Sequence, residues 1–159
     1  MKMKFRILFI AFFCLGVHVL HASQIDGIII TKTDTLHVRF VVPLTGVDFT
    51  LLQKGVKYID KSEQKCKLNP EDAKEIRFEY NGQTVRMLSR FDNLSRNSDG
   101  STKIFLELII DGPMKLFSYY VRNSGVTGGG ATGGPVMMSM TYEKYVLQKG
   151  IGNWFVMAT

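Results

Sequence analysis

Apolar and polar residues alternate with a period of two along most of this chain, and short turn sequences interrupt the alternation. From Glu75 to Tyr80 every second residue is apolar, and Asn81-Gly82 then precedes a second alternating run that carries Val85 and Met87. A period of two is typical of a half-buried β-strand. Both residues of Asn-Gly tolerate the positive φ of a type I′ turn. The pattern therefore predicts a β-hairpin.

The same signals predict three further hairpins and two shorter strands. The hairpins span residues 25–42 with a turn at 32–34, residues 104–122 with a turn at 111–113, and residues 136–157 with a turn at 149–153. The short strands span 56–60 and 65–68 around a polar turn at 61–64. Residues 89–102 are rich in Arg, Asn, Ser and Asp, which favours a long surface connection inside the domain.

No long apolar stripe with a 3.6-residue spacing accompanies these strands. Asn69-Pro70-Glu71-Asp72 supplies an N-cap residue, proline at the first helical position and two acids in the first turn. These features predict one short helical turn and no more. The fold expected is all-β: a single domain built as a mostly antiparallel meander of hairpins, with the sheet curled, folded into a sandwich or forming an open barrel. The apolar runs 104–106 and 108–110 should lie centrally in the sheet.

The first 22 residues have the composition of an export signal. Lys2, Lys4 and Arg6 precede an apolar run from residue 7 to residue 20, and a small residue follows at Ala22. This run is short for a membrane span of about 20 residues. We therefore expect residues 1–22 to be a signal peptide and residues 23–159 to be one β-rich domain without a transmembrane span. The location expected is the periplasm, the cell envelope or the extracellular space, and the alternative is an uncleaved anchor or a buried helix.

Removal of this segment changes the net charge of the chain and the number of its histidine and cysteine residues. Three of the 20 basic residues go with it and none of the 14 acidic ones, which leaves a net charge of +3. This modest charge gives no reason to expect a nucleic-acid partner. His37 and Cys66 become the only histidine and cysteine. An internal disulfide and a Cys/His metal site are therefore excluded within one mature chain.

No recognisable catalytic or cofactor motif follows. The glycine-rich run 128–134 contains G-x-G-x-x-G, but Pro135 and a β-patterned segment come next where a dinucleotide site needs a helix. We therefore interpret this run as a hairpin loop and expect no cofactor. His37 and Cys66 have no third orienting group nearby in sequence. For this reason the sequence favours a non-enzymatic protein over an enzyme.

Two kinds of candidate site remain. Aromatic residues are concentrated in the last third of the chain, and Tyr120 and Arg122 share one face of their predicted strand with Ser118, which makes them candidates for ligand contact. Core packing is the alternative for the aromatic residues. Asp34-Thr35-Leu36 fits a short acceptor pattern for O-glycosylation, with Thr35 as the acceptor. A turn also needs Asp and Thr at such positions.

The chain as a whole resembles a group of uncharacterised exported β-rich proteins of Bacteroidota. The resemblance lies in the segments GIIITKTDTL at 27–36, LNPEDAKEIRF at 68–78 and YVLQKG at 145–150. These segments carry turn and strand chemistry, so the resemblance implies an exported location and no assigned activity. Proteins of this kind often continue into a helical region, and the resemblance leaves open whether the C-terminal part is shortened or truncated here.

Two classes of function remain open. The first is a non-enzymatic envelope or secreted β module with a binding or structural role, whose partner is a protein, a glycan or an envelope component. The second is a carrier of a small apolar ligand, or a hydrolase with a site that the sequence does not reveal. A cavity lined by Met87, Met138 and Met140 would favour the carrier.

Overall fold

The fold is a single antiparallel sheet of ten strands, seen in a computed structural model that describes residues 23–94, 100–127, 136–150 and 153–157. The elements are β1 (Ser23–Ile30), β2 (Thr35–Val42), α1 (Phe49–Leu52), β3 (Val56–Ile59), β4 (Lys65–Leu68), a 3₁₀ helix (Pro70–Asp72), β5 (Glu75–Tyr80), β6 (Gln83–Phe91), β7 (Lys103–Ile110), β8 (Met114–Thr127), β9 (Val136–Lys149) and β10 (Asn153–Val156). The predicted signal peptide at 1–22 and the glycine-rich run at 128–134 lie outside the described residues.

The strands follow the order β10-β9-β8-β7-β6-β5-β1-β2-β3-β4, and all neighbours are antiparallel. Two meanders, β1 to β4 and β5 to β10, are joined by the pairing of β1 with β5, in which Gly27 faces Phe78 and Ile30 faces Glu75. The end strands β10 and β4 do not pair with each other, so the sheet is open. This arrangement confirms the prediction of an all-β, antiparallel, single-domain fold.

All four predicted hairpins and the predicted short strands form. At the turn between β5 and β6, Asn81 has φ 52° and Gly82 has φ 75°, as a type I′ turn requires. The 3₁₀ helix confirms the predicted turn at 69–72. Strand β6 continues to residue 91, so the connection predicted from residue 89 begins later. Ser89 is buried, and its hydroxyl donates to the Pro70 carbonyl at 2.6 Å.

The structure adds the short helix α1, which the sequence pattern did not predict. Asp48 caps it, because its Oδ1 accepts hydrogen bonds from the backbone N–H groups of Thr50 at 3.0 Å and Leu51 at 3.3 Å. Four residues are too few to show a 3.6-residue period. The side-chain amide of Gln53, just after the helix, bonds both the backbone N–H and the carbonyl of Tyr120, which ties α1 to β8.

Two apolar clusters lie on opposite faces of the sheet. We call the face that carries Phe40 and Phe78 the inner face, and the opposite face the outer face. The inner cluster lies mainly over β1, β2, β5 and β6 and is covered by Leu52, Val56 and Leu68. The outer cluster lies over β6, β7 and β8 and consists of Leu88, Ile104, Leu106 and Phe117, with Trp154 packed against it.

Strands β6 and β7 contribute to both clusters, because consecutive residues point to opposite faces of a strand. Met87 and Leu88 are both buried, and so are Phe105 and Leu106. Strand β7 therefore lies inside the sheet, as predicted, and its run 104–106 is buried, but Ile109 and Ile110 at its end are 45% and 55% exposed. In the described part of the chain, no helix has the length and apolar character needed to cross a membrane.

Candidate functional site

A groove of about 640 Å³ lies on the outer face, and we call it the sheet groove. Strands β5, β1 and β2 form its floor, to which Ile28 contributes, and the β3–β4 hairpin forms one wall. The lining side chains include four basic or imidazole groups and four carboxylates: His37, Arg39, Lys61 and Arg77, and Asp26, Asp60, Glu63 and Glu79. The groove therefore offers charges of both signs around a partly apolar floor.

The wall of the sheet groove is fixed by hydrogen bonds within the β3–β4 turn. The Asp60 Oδ1 atom accepts from the backbone N–H groups of Ser62 at 2.8 Å and Gln64 at 2.9 Å. Glu63 has φ 61° in this turn, and its carboxylate pairs with the guanidinium of Arg39 on β2. This ion pair links the turn to the sheet, so the wall does not depend on the turn alone.

An ionic network centred on Glu75 adjoins the sheet groove through Arg77, the member of the network that lines it. Its carboxylate accepts from Arg77 Nε at 2.5 Å and, through both oxygens, from Arg86 at 2.7 and 3.3 Å. Arg86 also bonds Asp111 Oδ2 at 3.1 Å, and Asp111 pairs with Lys115. Burial alone would raise the pKa of Glu75, but the hydrogen bonds from Arg86 and Arg77 outweigh it and hold this pKa below its usual value.

Asp26, His37 and Lys61 differ from these paired groups. All three are exposed in the sheet groove, and no oppositely charged group lies within 4.0 Å of them in the described residues. They are therefore available to a ligand without the cost of breaking an ion pair.

The predicted candidates Tyr120 and Arg122 have partners within the protein. The Tyr120 ring stacks on Phe49 with centroids 4.8 Å apart, and its hydroxyl donates to Glu107 Oε2 at 2.7 Å. Burial, reinforced by this hydrogen bond, raises the pKa of Tyr120 well above its usual value. The Arg122 guanidinium pairs with Asp48. Both residues also line a smaller groove of about 340 Å³ with Thr141, and their role in ligand contact stays a prediction.

Glu107 and Glu143 are two carboxylates near each other on the inner face. Ser118, which is fully buried, donates to Glu143 Oε1 at 2.6 Å, and Tyr120 donates to Glu107. Burial raises the pKa of Glu107; the hydrogen bond from Tyr120 acts against this shift, and the nearby charge of Glu143 adds to it. Each carboxylate thus accepts a hydrogen bond from a hydroxyl group on β8. These two bonds link β8 to its neighbours β7 and β9.

His37 and Cys66 lie on opposite faces of the sheet. Phe40 of β2 faces Tyr58 of β3, and Tyr58 faces Cys66 of β4, so Cys66 belongs to the inner side. His37 has the opposite parity on β2 and projects from the outer face, where it lines the sheet groove. The strand register therefore keeps the thiol and the imidazole apart, and they form no Cys–His dyad.

The remaining predicted positions are separate from the sheet groove. Thr35 is exposed at the first position of β2, and its glycosylation stays a prediction. Met87 is buried in the inner cluster and Met140 is 70% exposed, so these two methionines do not share a cavity. The side chain of Met138 is outside the described part of the structure.

The described residues contain no group of three or more His, Cys, Asp or Glu side chains that could hold a metal ion. Comparisons with protein-family models, with curated proteins and with solved structures find no match for this chain.

Sequence reasoning missed the sheet groove because its residues come from distant parts of the chain. The predicted hairpin at 25–42 places Asp26 and His37 on neighbouring strands, but Arg77 of β5 joins them only because β1 lies between β2 and β5. The alternation does reveal that these residues point away from the apolar face. It does not reveal that β1 pairs with β5, so the sequence does not bring the whole set of charges together.

Proposed function

We propose that this protein is an exported, non-enzymatic β module that binds a segment of another protein in the sheet groove. The observation that carries the proposal is the groove itself, with its mixed charges and its unpaired Asp26, His37 and Lys61 beside an apolar floor. Such a surface matches a polypeptide, which offers side chains of both signs and apolar contacts. The basic and apolar start of the sequence supports the exported location.

The lining of the sheet groove favours a protein over a glycan. Sugars are commonly held by stacking on exposed aromatic rings. Phe78 is the one aromatic residue in the lining, and it is 4% exposed because its side chain belongs to the inner cluster. A hydrolase with a Cys–His dyad is also disfavoured, because His37 and Cys66 project from opposite faces.

The proposal is tested by site-specific photocrosslinking in the producing cell. A photoreactive amino acid at Thr84, an exposed residue that lines the sheet groove, should give a discrete protein adduct. The same amino acid at Asn81, in the turn outside the groove, should not give this adduct. Adducts of equal yield from both positions, or an adduct with no protein partner, would contradict the proposal.

A charge substitution provides the matched control. His37→Glu places a negative charge in the sheet groove, and it should reduce the yield of the Thr84 adduct at least fivefold. Gln64→Glu makes the same change of charge on the β3–β4 turn at an exposed residue that does not line the groove. It should leave the yield unchanged. Equal effects of the two substitutions would mean that the net charge, and not the groove, controls binding.

A further inference from the structure

A second groove, of about 440 Å³, lies at the end of β2 between α1 and the β3–β4 hairpin. We call it the lysine groove. Val42, Leu52 and Val56 close its base, but they are only 5%, 7% and 2% exposed, so the apolar surface open to a ligand comes from other lining residues. Val41, Pro43 and the exposed Leu51 continue the apolar surface towards the opening. A volume of this size is typical of a site for a small molecule.

Three lysines, Lys54, Lys57 and Lys67, line the same groove, and all three are exposed. In the described part of the chain, no carboxylate lies within 4.0 Å of their ammonium groups. Asp48 is the one acid in the lining, and Thr50, Leu51 and Arg122 already occupy its oxygens. The positive charge of the lysine groove is therefore not neutralised from within the protein.

The positions of Lys57 and Lys67 are electrostatically unfavourable without a ligand. They face each other directly across β3 and β4, and like charges in this position destabilise a strand pair. Lysines on an edge strand discourage pairing with another chain, which would account for Lys67 on β4. Lys57 also lies at an open position, because β2 and β3 pair only at Arg39–Ile59 and Phe40–Tyr58. Protection of an edge does not, however, require two lysines to face each other.

We propose that the lysine groove binds a single-chain amphiphile with an anionic head group. The hydrocarbon chain would cover Val41, Pro43 and Leu51, and the head group would lie between the ammonium groups of Lys57 and Lys67. Burial of methylene groups supplies the apolar part of the affinity. Neutralisation of two opposed lysines supplies the electrostatic part. This site is distinct from the sheet groove and does not depend on the protein-binding proposal.

Isothermal titration calorimetry with octanoate on the purified mature chain tests this proposal. Octanoate should bind saturably at one site, and decanoate, with two more methylenes, should bind about 15-fold more tightly, because each further buried methylene contributes about fourfold in affinity. Acetate, which has the head group alone, and octanol, which has the chain alone, should bind at least tenfold more weakly than octanoate. Octanol that binds as tightly as octanoate would overturn the role of the lysines.

Two double variants separate the lysine groove from the general positive charge. Lys57→Gln with Lys67→Gln should weaken octanoate binding at least tenfold, and both residues are exposed, so the variant should fold. Lys32→Gln with Lys65→Gln removes the same charge from two exposed positions outside both grooves and should change the affinity less than twofold. Equal losses in the two variants would overturn the proposed site.

Two further measurements test the apolar base and the competing explanation. Leu51→Glu places a charge at the opening and should abolish octanoate binding without unfolding the chain, since Leu51 is 52% exposed. If the lysines instead serve to bind a membrane surface, phosphatidylglycerol vesicles will bind the protein while octanoate will not, and this result would also overturn the proposal. The Thr84 crosslink should be unaffected by the Lys57 and Lys67 variant, so failure of one proposal is distinguishable from failure of the other.

Discussion

The two halves of the sheet bury opposite faces. Over β1, β2 and β5 the inner face is apolar and covered, and the outer face carries the charged sheet groove. Over β7 and β8 the outer face carries the apolar cluster around Phe117, and the inner face carries Glu107, Ser118 and Tyr120. A single sheet can therefore supply two cores, provided that the strands between the halves are apolar on both faces, as β6 and β7 are.

The acids on the two polar faces show how differently these faces are stabilised. Glu75, on the outer face, meets two arginines, and its pKa lies below the usual value because their hydrogen bonds outweigh its burial. Glu107, on the inner face, meets a tyrosine hydroxyl, and its pKa is raised because burial outweighs that hydrogen bond. The first face stabilises a charge, and the second face tolerates one at a cost.

The covered inner face should show the largest response to a small substitution. A Cβ atom at Gly27 would lie 2.3 Å from Phe40 Cε2 and 2.6 Å from the Arg77 carbonyl oxygen. We expect Gly27→Ala to lower the free energy of unfolding by about 2 to 3 kcal/mol, because neither a packed ring nor the backbone of β5 moves freely. Urea unfolding monitored by circular dichroism gives this value.

Gly112 is the matched control for Gly27. It lies in the turn between β7 and β8, and the atom nearest to an added Cβ is the Met114 carbonyl oxygen at 3.5 Å, which is an ordinary contact. Gly112→Ala should change the free energy of unfolding by less than about 0.5 kcal/mol. A similar loss of unfolding free energy in both variants would show that the effect does not come from the close contacts of Gly27 with Phe40 and Arg77.

The strands could be predicted from the sequence because their signals are local. Alternation and turns such as Asn81-Gly82 are contained in short segments, and they identify hairpins whose strands are adjacent in the chain. The pairing of Ile29 with Ile76 is not local, and alternation is equally compatible with other strand orders. The insertion of β1 between β2 and β5, which creates the sheet groove, was therefore beyond the reach of the pattern.

The candidate site shows the same limit. Tyr120 and Arg122 were selected because they share a face with Ser118, and the structure pairs them with Phe49 and Asp48. These partners come from α1 and its N-cap, a segment too short for a periodic signal. A single strand reveals which residues share a face, but it does not reveal what packs against that face.

Neutral substitutions of Glu75 and Glu107 should affect stability differently on the two polar faces. Glu75→Gln should lower the free energy of unfolding at pH 7 by about 1 to 2 kcal/mol, because it leaves Arg77 and Arg86 without the carboxylate that both of them bond. Glu107→Gln keeps an oxygen acceptor for Tyr120 and removes a charge that burial disfavours. Its free energy of unfolding at pH 7 should be unchanged or raised by up to about 1 kcal/mol. Equal losses in urea unfolding would contradict the contrast between the faces.

The pH dependence of these effects should run in opposite directions. Because the folded pKa of Glu107 is raised, the native protein gains stability from this group as the pH falls from 7 through that pKa. Any advantage of Glu107→Gln should therefore shrink towards pH 4.5. Because the folded pKa of Glu75 is lowered, its contribution is present above the unfolded pKa and is lost as the pH falls below about 4.5. The deficit of Glu75→Gln should therefore persist at pH 5 and shrink at lower pH, as unfolding curves at pH 7, 5 and 3.5 would show.

The smallest effect is expected for the opposed lysines at the margin of the sheet. Lys67→Glu converts a repulsive cross-strand pair with Lys57 into an attractive one, and we expect a gain of about 0.5 to 1 kcal/mol, because both groups are exposed to solvent and salt. Lys65→Glu makes the same change of charge opposite the apolar Ile59, so it should have no such gain. Thermal unfolding of the two variants in low salt, repeated in 1 M NaCl, would isolate the pair, because salt should abolish the difference between them. A stabilisation that is equal at both positions, or that persists in high salt, would mean that the repulsion between Lys57 and Lys67 is not a feature of the unliganded protein.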